Sequence, residues 1–205
     1  MQHYVATKEE HKDCILFYRL GDFYEMFFED AKTVSKELEL TLTGKECGLP
    51  ERAPMCGVPY HAAETYISRL IEKGYKVAVC EQVEDPKTAR GMVKREVVRI
   101  VTPGTNLNTQ NLDESKNNYI MSVVGMADHY GISAADITTG DCFVTEVDRE
   151  RKILDEIYKF SPAEIICNKT LLVSGVDLDD LHNRLGICFN VLEDWYFDED
   201  LCRRT

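Results

Sequence analysis

Between Cys14 and Leu38 the hydrophobic period of this chain changes from that of a strand to that of a helix, and the same change recurs further along. Cys14-Ile-Leu-Phe-Tyr18 is a nearly continuous apolar run of strand length, as a buried strand requires. Gly21-Asp22 signals a turn, and Asp22-Phe-Tyr-Glu-Met-Phe27 reads as an aromatic-rich extended segment. From there Phe27, Ala31, Val34 and Leu38 recur at helical spacing and form one apolar face. A turn-rich loop is expected from Gly44 to Pro54. Gly57-Val-Pro-Tyr-His61 then leads into a second helix, with Ala62, Tyr66, Leu70 and Ile71 on its buried side and Gly74 as its cap. Lys76–Cys80 and Glu96–Val101 read as strands, and residues 2–12 as a polar, frayed helix. Strands alternating with helices predict an α/β domain with a mixed sheet over residues 1–105.

Residues 102–118 hold almost no apolar side chains, and a linker is expected over 106–118. A second module is expected over 119–205. Tyr119–Met126, Tyr130–Ile137 and Asp141–Val147 read as a three-stranded meander with a turn at Thr139-Gly140-Asp141. Ile153, Ile157 and Phe160 mark a helix that Pro162 stops, and Ala163–Cys167 reads as a further strand. That order matches the start of a ribonuclease H-like layout. No closing element is legible after Asp198, so the end reads as a cut through a longer chain.

The net charge of −12 argues against nucleic acid if taken as a whole. It is unevenly spread. Residues 1–101 carry 15 basic and 17 acidic side chains, and residues 102–205 carry 9 and 19, so the acidity sits in the second half. Lys87, Arg90, Lys94, Arg95 and Arg99 form a local basic run, which fits either a solvated strand face or a phosphate-facing patch. None of the eight cysteines shows CxxC spacing, and several lie in apolar runs; they read as buried small hydrophobes in a reduced compartment. With no run approaching a membrane span, a cytoplasmic location is expected. His61 has no nucleophile to pair with and is read as part of a helix start.

In the extended segment Phe23 and Glu25 project to one face, about 7 Å apart. Taken alone, the pair fits a core aromatic with a rim charge better than a binding element. Its surroundings change that. Gly21-Asp-Phe-Tyr-Glu25, Pro54-Met-Cys-Gly-Val-Pro-Tyr-His61, Cys80-Glu-Gln-Val-Glu-Asp-Pro-Lys87 and Lys94-Arg-Glu-Val-Val-Arg-Ile-Val-Thr-Pro-Gly-Thr105 resemble, in order and spacing, the GxFYE, PMxGxPYH, CEQxxDPxx and RxVxRxxTPGT stretches of the MutS family of DNA mismatch repair proteins. Asp136-Ile-Thr-Thr-Gly140 and Ser161-Pro-Ala-Glu-Ile-Ile166 extend the likeness, more weakly, into that family's connector domain.

The resemblance implies a mismatch-recognition domain followed by a truncated ribonuclease H-like connector. It implies that Phe23 enters the minor groove and stacks on a mispaired base while Glu25 hydrogen-bonds that base. It puts Lys45, Arg52 and Met55 beside the wedge, with Lys94, Arg95 and Arg99 as further candidates against the DNA backbone. Gly44-Lys45 departs from the two consecutive basic residues common there, which puts one phosphate contact in doubt. The implied partners are mismatched double-stranded DNA, the remainder of the family protein with its dimer mate, and a MutL-type repair protein reached through the connector. No cofactor is expected in this stretch. ATP and Mg²⁺ belong to the family's ATPase domain, and no phosphate-cradling GxxxxGK[ST] loop occurs, since Gly44-Lys45 is preceded at position 39 by Glu and followed by Glu46. The stretch is therefore not expected to be an enzyme by itself. A metal-dependent nuclease using Asp128, Asp136 or Asp141 is the alternative, and the acidic second half also suits a protein-interaction module.

Overall fold

The computed structural model describes residues 1–48, 50–84, 93–106, 117–126 and 129–204, which divide into two compact units, Met1–Thr102 and Pro103–Thr205. Most of the expected linker, 107–116, lies outside the described residues, as do Lys87, Arg90 and Asp128.

In the first unit, α1 (Gln2–Glu10) precedes β1 (Cys14–Leu20), β2 (Phe23–Phe27), α2 (Phe28–Leu38), β3 (Thr43–Lys45), β4 (Ala53–Pro59), α3 (Ala63–Glu72), β5 (Lys76–Gln82) and β6 (Arg95–Val101). The six strands form one mixed sheet in the order β3-β4-β2-β1-β5-β6, in which β1 pairs antiparallel with β2 and parallel with β5. β1 is apolar throughout because both its faces are covered. Ile15 and Phe17 join the core under α2 and α3, whereas Leu16 and Tyr18 face the other way and pack with Tyr4 of α1. Asp30 ties these layers together: its carboxylate accepts from the Leu16 backbone N–H at 3.0 Å and pairs with Lys8 at 2.9 Å.

Two expectations are corrected here. The segment from Gly44 to Pro54 is not all loop, because its ends are strand, with Gly44 opposite Pro54 in the β3–β4 ladder. Gly57-Val-Pro59 is the end of β4 rather than a helix leader, and a 3₁₀ turn over Tyr60–Ala62 makes the transition to α3. His61 sits exposed in that turn.

In the second unit, β7 (Tyr119–Met126), β8 (His129–Asp136) and β9 (Cys142–Val147) form the expected meander. They are followed by α4 (Glu150–Phe160), β10 (Glu164–Cys167), α5 (Lys169–Leu172), α6 (Leu178–Leu185), β11 (Cys188–Val191) and α7 (Glu199–Cys202). The sheet order is β11-β10-β7-β8-β9, with β10 parallel to both β7 and β11. An antiparallel meander whose first strand is extended by two parallel strands is the ribonuclease H-like arrangement. Ile153 and Ile157 of α4, Leu171 of α5 and Leu181 of α6 complete its core against Met121 and Val123.

Gly125 shows how closely that core is fitted. A Cβ there would lie 2.6 Å from Thr170 Cγ2, and the Asn168 side chain holds both the N–H and the carbonyl of Gly125, at 3.1 and 2.9 Å. The backbone has no room to retreat, so Gly125→Ala is expected to destabilise the second unit by about 1–3 kcal/mol, read as a lowered urea midpoint.

No helix among the described residues is long and apolar enough to cross a membrane. Of the eight cysteines, Cys14, Cys56, Cys80, Cys167 and Cys188 are buried as expected, Cys47 is half-buried, and Cys142 and Cys202 are exposed. Burial pushes the thiols of Cys56, Cys80 and Cys167 up to about 11, which leaves them protonated and unreactive.

Candidate nucleic-acid interface

Strict alternation along β2 sorts its side chains. Tyr24 and Met26 point under the sheet into the α2–α3 core, while Phe23 and Glu25 take the opposite face, where α1 covers only part of the sheet. Phe23 opens the strand directly after the Gly21-Asp22 turn, and Gly21 adopts a φ of 61° there. Phe23 pairs with Leu20 on one side and Pro59 on the other, and it remains 47% exposed. The rest of the strand is mostly buried and paired on both sides, so a half-exposed aromatic ring stands at the tip of the hairpin.

Glu25 lies two residues along the same face and is half-buried. Its carboxylate meets Lys45 Nζ at 2.5 Å. Lys45 reaches it from β3, crossing β4 and passing 5.7 Å from the Phe27 ring. Gly57 is the direct β4 neighbour of Glu25, so no side chain fills the space beside the carboxylate, and a Cβ there would sit 3.5 Å from Glu25 Cγ. Met55 is opposite both Phe27 and Thr43, half-buried in the same surface. Arg52 is exposed at the rim, beside an open groove of about 380 Å³ that Phe28, Glu51 and Pro54 also line.

The remaining basic candidates are not gathered at this spot. β6 is three strand positions from β2, roughly 14 Å at ordinary strand spacing. Lys94 is exposed and paired with Glu96 at 2.5 Å, and Arg99 is exposed and paired with Glu64 of α3. Arg95 is held differently from these two. It is 8% exposed, with Nε donating to the Arg19 carbonyl at 2.7 Å, Nη1 donating to the Val93 carbonyl at 2.8 Å, and the guanidinium over the Tyr18 ring. A cation so engaged braces the β1–β2 hairpin.

Another group supports the hairpin from the opposite side of the sheet and escaped the sequence reading. The Arg19 guanidinium lies 4.0 Å over the Tyr60 ring and 3.6 Å from Glu81, and the Tyr24 hydroxyl donates to Glu81. Burial, reinforced by Glu81, pushes the Tyr24 hydroxyl up to about 12 and keeps it a donor. Each of these residues lies within or next to a quoted motif; the signal available was that Tyr24 must face away from Phe23.

Among its described residues the second unit gathers no site for ion-assisted chemistry. Asp136 is 1% exposed. It accepts from Thr138 N at 2.8 Å, Thr138 Oγ1 at 2.6 Å and Asn118 N at 3.0 Å. Asp141 is exposed and accepts from Thr139 Oγ1. No three His, Cys, Asp or Glu side chains converge on one point among the described residues, as a nuclease ion site needs.

Comparison with known proteins agrees with this division. A family model described as MutS domain I matches residues 1–110, and one described as MutS domain II matches residues 118–205. The chain is 67% identical over its whole length to a protein named DNA mismatch repair protein MutS from Lachnoclostridium phytofermentans, covering 22% of that protein. It is 54% identical over 98% of its length to one of the same name from Acetivibrio thermocellus, covering 23% of it. The chain thus spans about a fifth of the length of the curated relatives it matches.

Proposed function

The chain belongs to the MutS family, with that family's domains I and II in order, and on that footing we propose that its first unit binds mismatched double-stranded DNA through Phe23 and Glu25. The observation that carries this reading is the 47% exposure of Phe23 at the tip of a hairpin whose other aromatic residues, Phe17, Tyr18, Tyr24 and Phe27, are buried. An exposed ring on a braced strand is a wedge: it loses little conformational entropy on insertion. Parting a base step costs a few kcal/mol, and least where the pairing is already defective. Stacking on the ring returns about 1–3 kcal/mol. Discrimination therefore comes from how easily the duplex deforms, which suits the detection of many different mispairs.

Glu25 accepts a hydrogen bond from the mispaired base. Lys45, Arg52 and Met55 line the approach, and Lys94 and Arg99 add to the backbone-neutralising charge from the far edge. The second unit relays the state of the DNA-bound unit to the ATPase of the whole protein, which takes ATP and Mg²⁺, and contacts a MutL-type partner. The acidity of residues 102–205 suits protein contacts better than DNA.

The test uses a chimera in which this chain replaces the matching segment of the L. phytofermentans relative. Binding is compared for a G·T-mismatched duplex and its matched counterpart. Phe23→Ala is expected to reduce the mismatch preference about tenfold to a hundredfold, the loss of one stacked ring. An unchanged preference would remove the wedge assignment.

A further inference from the structure

A carboxylate is an odd neighbour for a DNA-inserting ring, and the ion pair it makes explains how it is tolerated. Glu25 and Lys45 meet at 2.5 Å on the sheet face that carries Phe23, and they come from strands separated by β4. The Glu25 side chain is 15% exposed and that of Lys45 40%, so the acid is the more desolvated partner and the lysine the one free to leave. Gly57 puts nothing beside the carboxylate, and among the described residues Lys45 is the cation within ion-pair reach of it. We infer that Lys45 is a positioning residue for mismatch discrimination: by neutralising Glu25 in the unbound protein, it sets how strongly that carboxylate penalises a well-paired duplex. The inference rests on the reading that Phe23 and Glu25 face the mispair.

The physical sequence is an exchange of partners. A half-buried carboxylate close to phosphates is repelled unless a cation or a hydrogen-bond donor accompanies it. In a matched pair the base N–H groups that face the partner base are engaged, so Glu25 finds no donor there and keeps Lys45. A weakly held mispair, once the Phe23 ring has parted it, exposes a base N–H donor. Glu25 takes it, and Lys45 is released toward the backbone. Removing Lys45 strips the mask from Glu25, which harms matched binding more than mismatched binding.

The test is a double-mutant cycle in the same chimera, with the same G·T and matched duplexes. Lys45→Met is expected to weaken matched binding about tenfold and mismatched binding about threefold, so that the preference rises about threefold. In a Glu25→Gln background, Lys45→Met is expected to weaken both duplexes by one common factor and leave the preference unchanged. Lys45→Arg, which keeps the charge and the reach, is expected to retain the original preference. Equal weakening of both duplexes by Lys45→Met with Glu25 present, or the same change in preference with and without the carboxylate, makes Lys45 a plain phosphate contact and overturns the inference. A chimera that shows no mismatch preference before any substitution overturns the underlying reading and the inference with it. Intact preference with an additive cycle overturns the inference alone.

Discussion

Phe17→Ala is expected to destabilise the first unit by about 3–5 kcal/mol, a large part of what holds a domain of this size together. Phe17 is fully buried near the middle of β1, the strand that pairs with both β2 and β5. Its ring packs 6.0 Å from that of Tyr24 and fills the layer beneath α2 and α3. Truncation removes the transfer energy of the ring and leaves a cavity that a strand hydrogen-bonded on both sides cannot close. The core of the second unit shares no residue with this one. Hydrogen exchange should therefore show protection lost in β1, β2 and β5 while β7 and β10 keep theirs; equal loss in both units would refute the separation of the cores. Phe23, six positions on in the same hairpin, makes the useful contrast. Already half in solvent, its replacement by alanine should change stability by less than about 1 kcal/mol. Two phenylalanines so near in sequence thus divide between folding and binding, and the two variants separate those roles experimentally.

Asp136→Asn is expected to destabilise the second unit by about 3 kcal/mol at neutral pH, because a buried charge-assisted network loses its charge and one acceptor. Asp136 closes the β8–β9 hairpin and anchors the entry to β7 through Thr138 and Asn118. An asparagine retains one oxygen for Thr138 but turns an amide toward the N–H of Asn118. The same network predicts a pH dependence. Burial works against the charged carboxylate, yet hydrogen bonds from Thr138, Asn118 and Thr139 outweigh it and hold the group below the usual carboxylate range. A group depressed in the folded state stabilises above its unfolded value, and that stabilisation fades as pH falls from about 5 through the folded value. Urea midpoints of the second unit should fall over this range. The drop should be smaller in the Asp136→Asn variant, and parallel curves for the two chains would refute the assignment.

The chain's local periodicity carries much of the fold. β1, the face of α2, the meander β7–β9 and the helix α4 are each written in neighbouring residues, because an apolar repeat reports which side of a short element is buried whatever lies against it. The segment after Cys167 was harder to read. α6 has an aspartate cap at Asp177 and a left-handed Gly186 at its end, but its short apolar stripe gives a weak signal. β3 was missed for a different reason: three residues containing a glycine become a strand only through pairing with β4. Turn aspartates usually face outward, yet Asp136 is buried. Its burial depends on Asn118 arriving from 18 positions away.

The sequence by itself determined the α/β architecture and the alternation that separates Phe23 and Glu25 from Tyr24 and Met26, since both follow from local geometry and the burial of apolar side chains. Only the tertiary structure decided which of the cations stand with Phe23. Strand order brings Lys45 across β4 to Glu25, sinks Arg95 against the Arg19 carbonyl and leaves Lys94 and Arg99 on the far edge with acids of their own. The reason is one of range. A side chain's face is fixed by its immediate neighbours along the chain, whereas its partner is fixed by which distant strand the sheet places beside it.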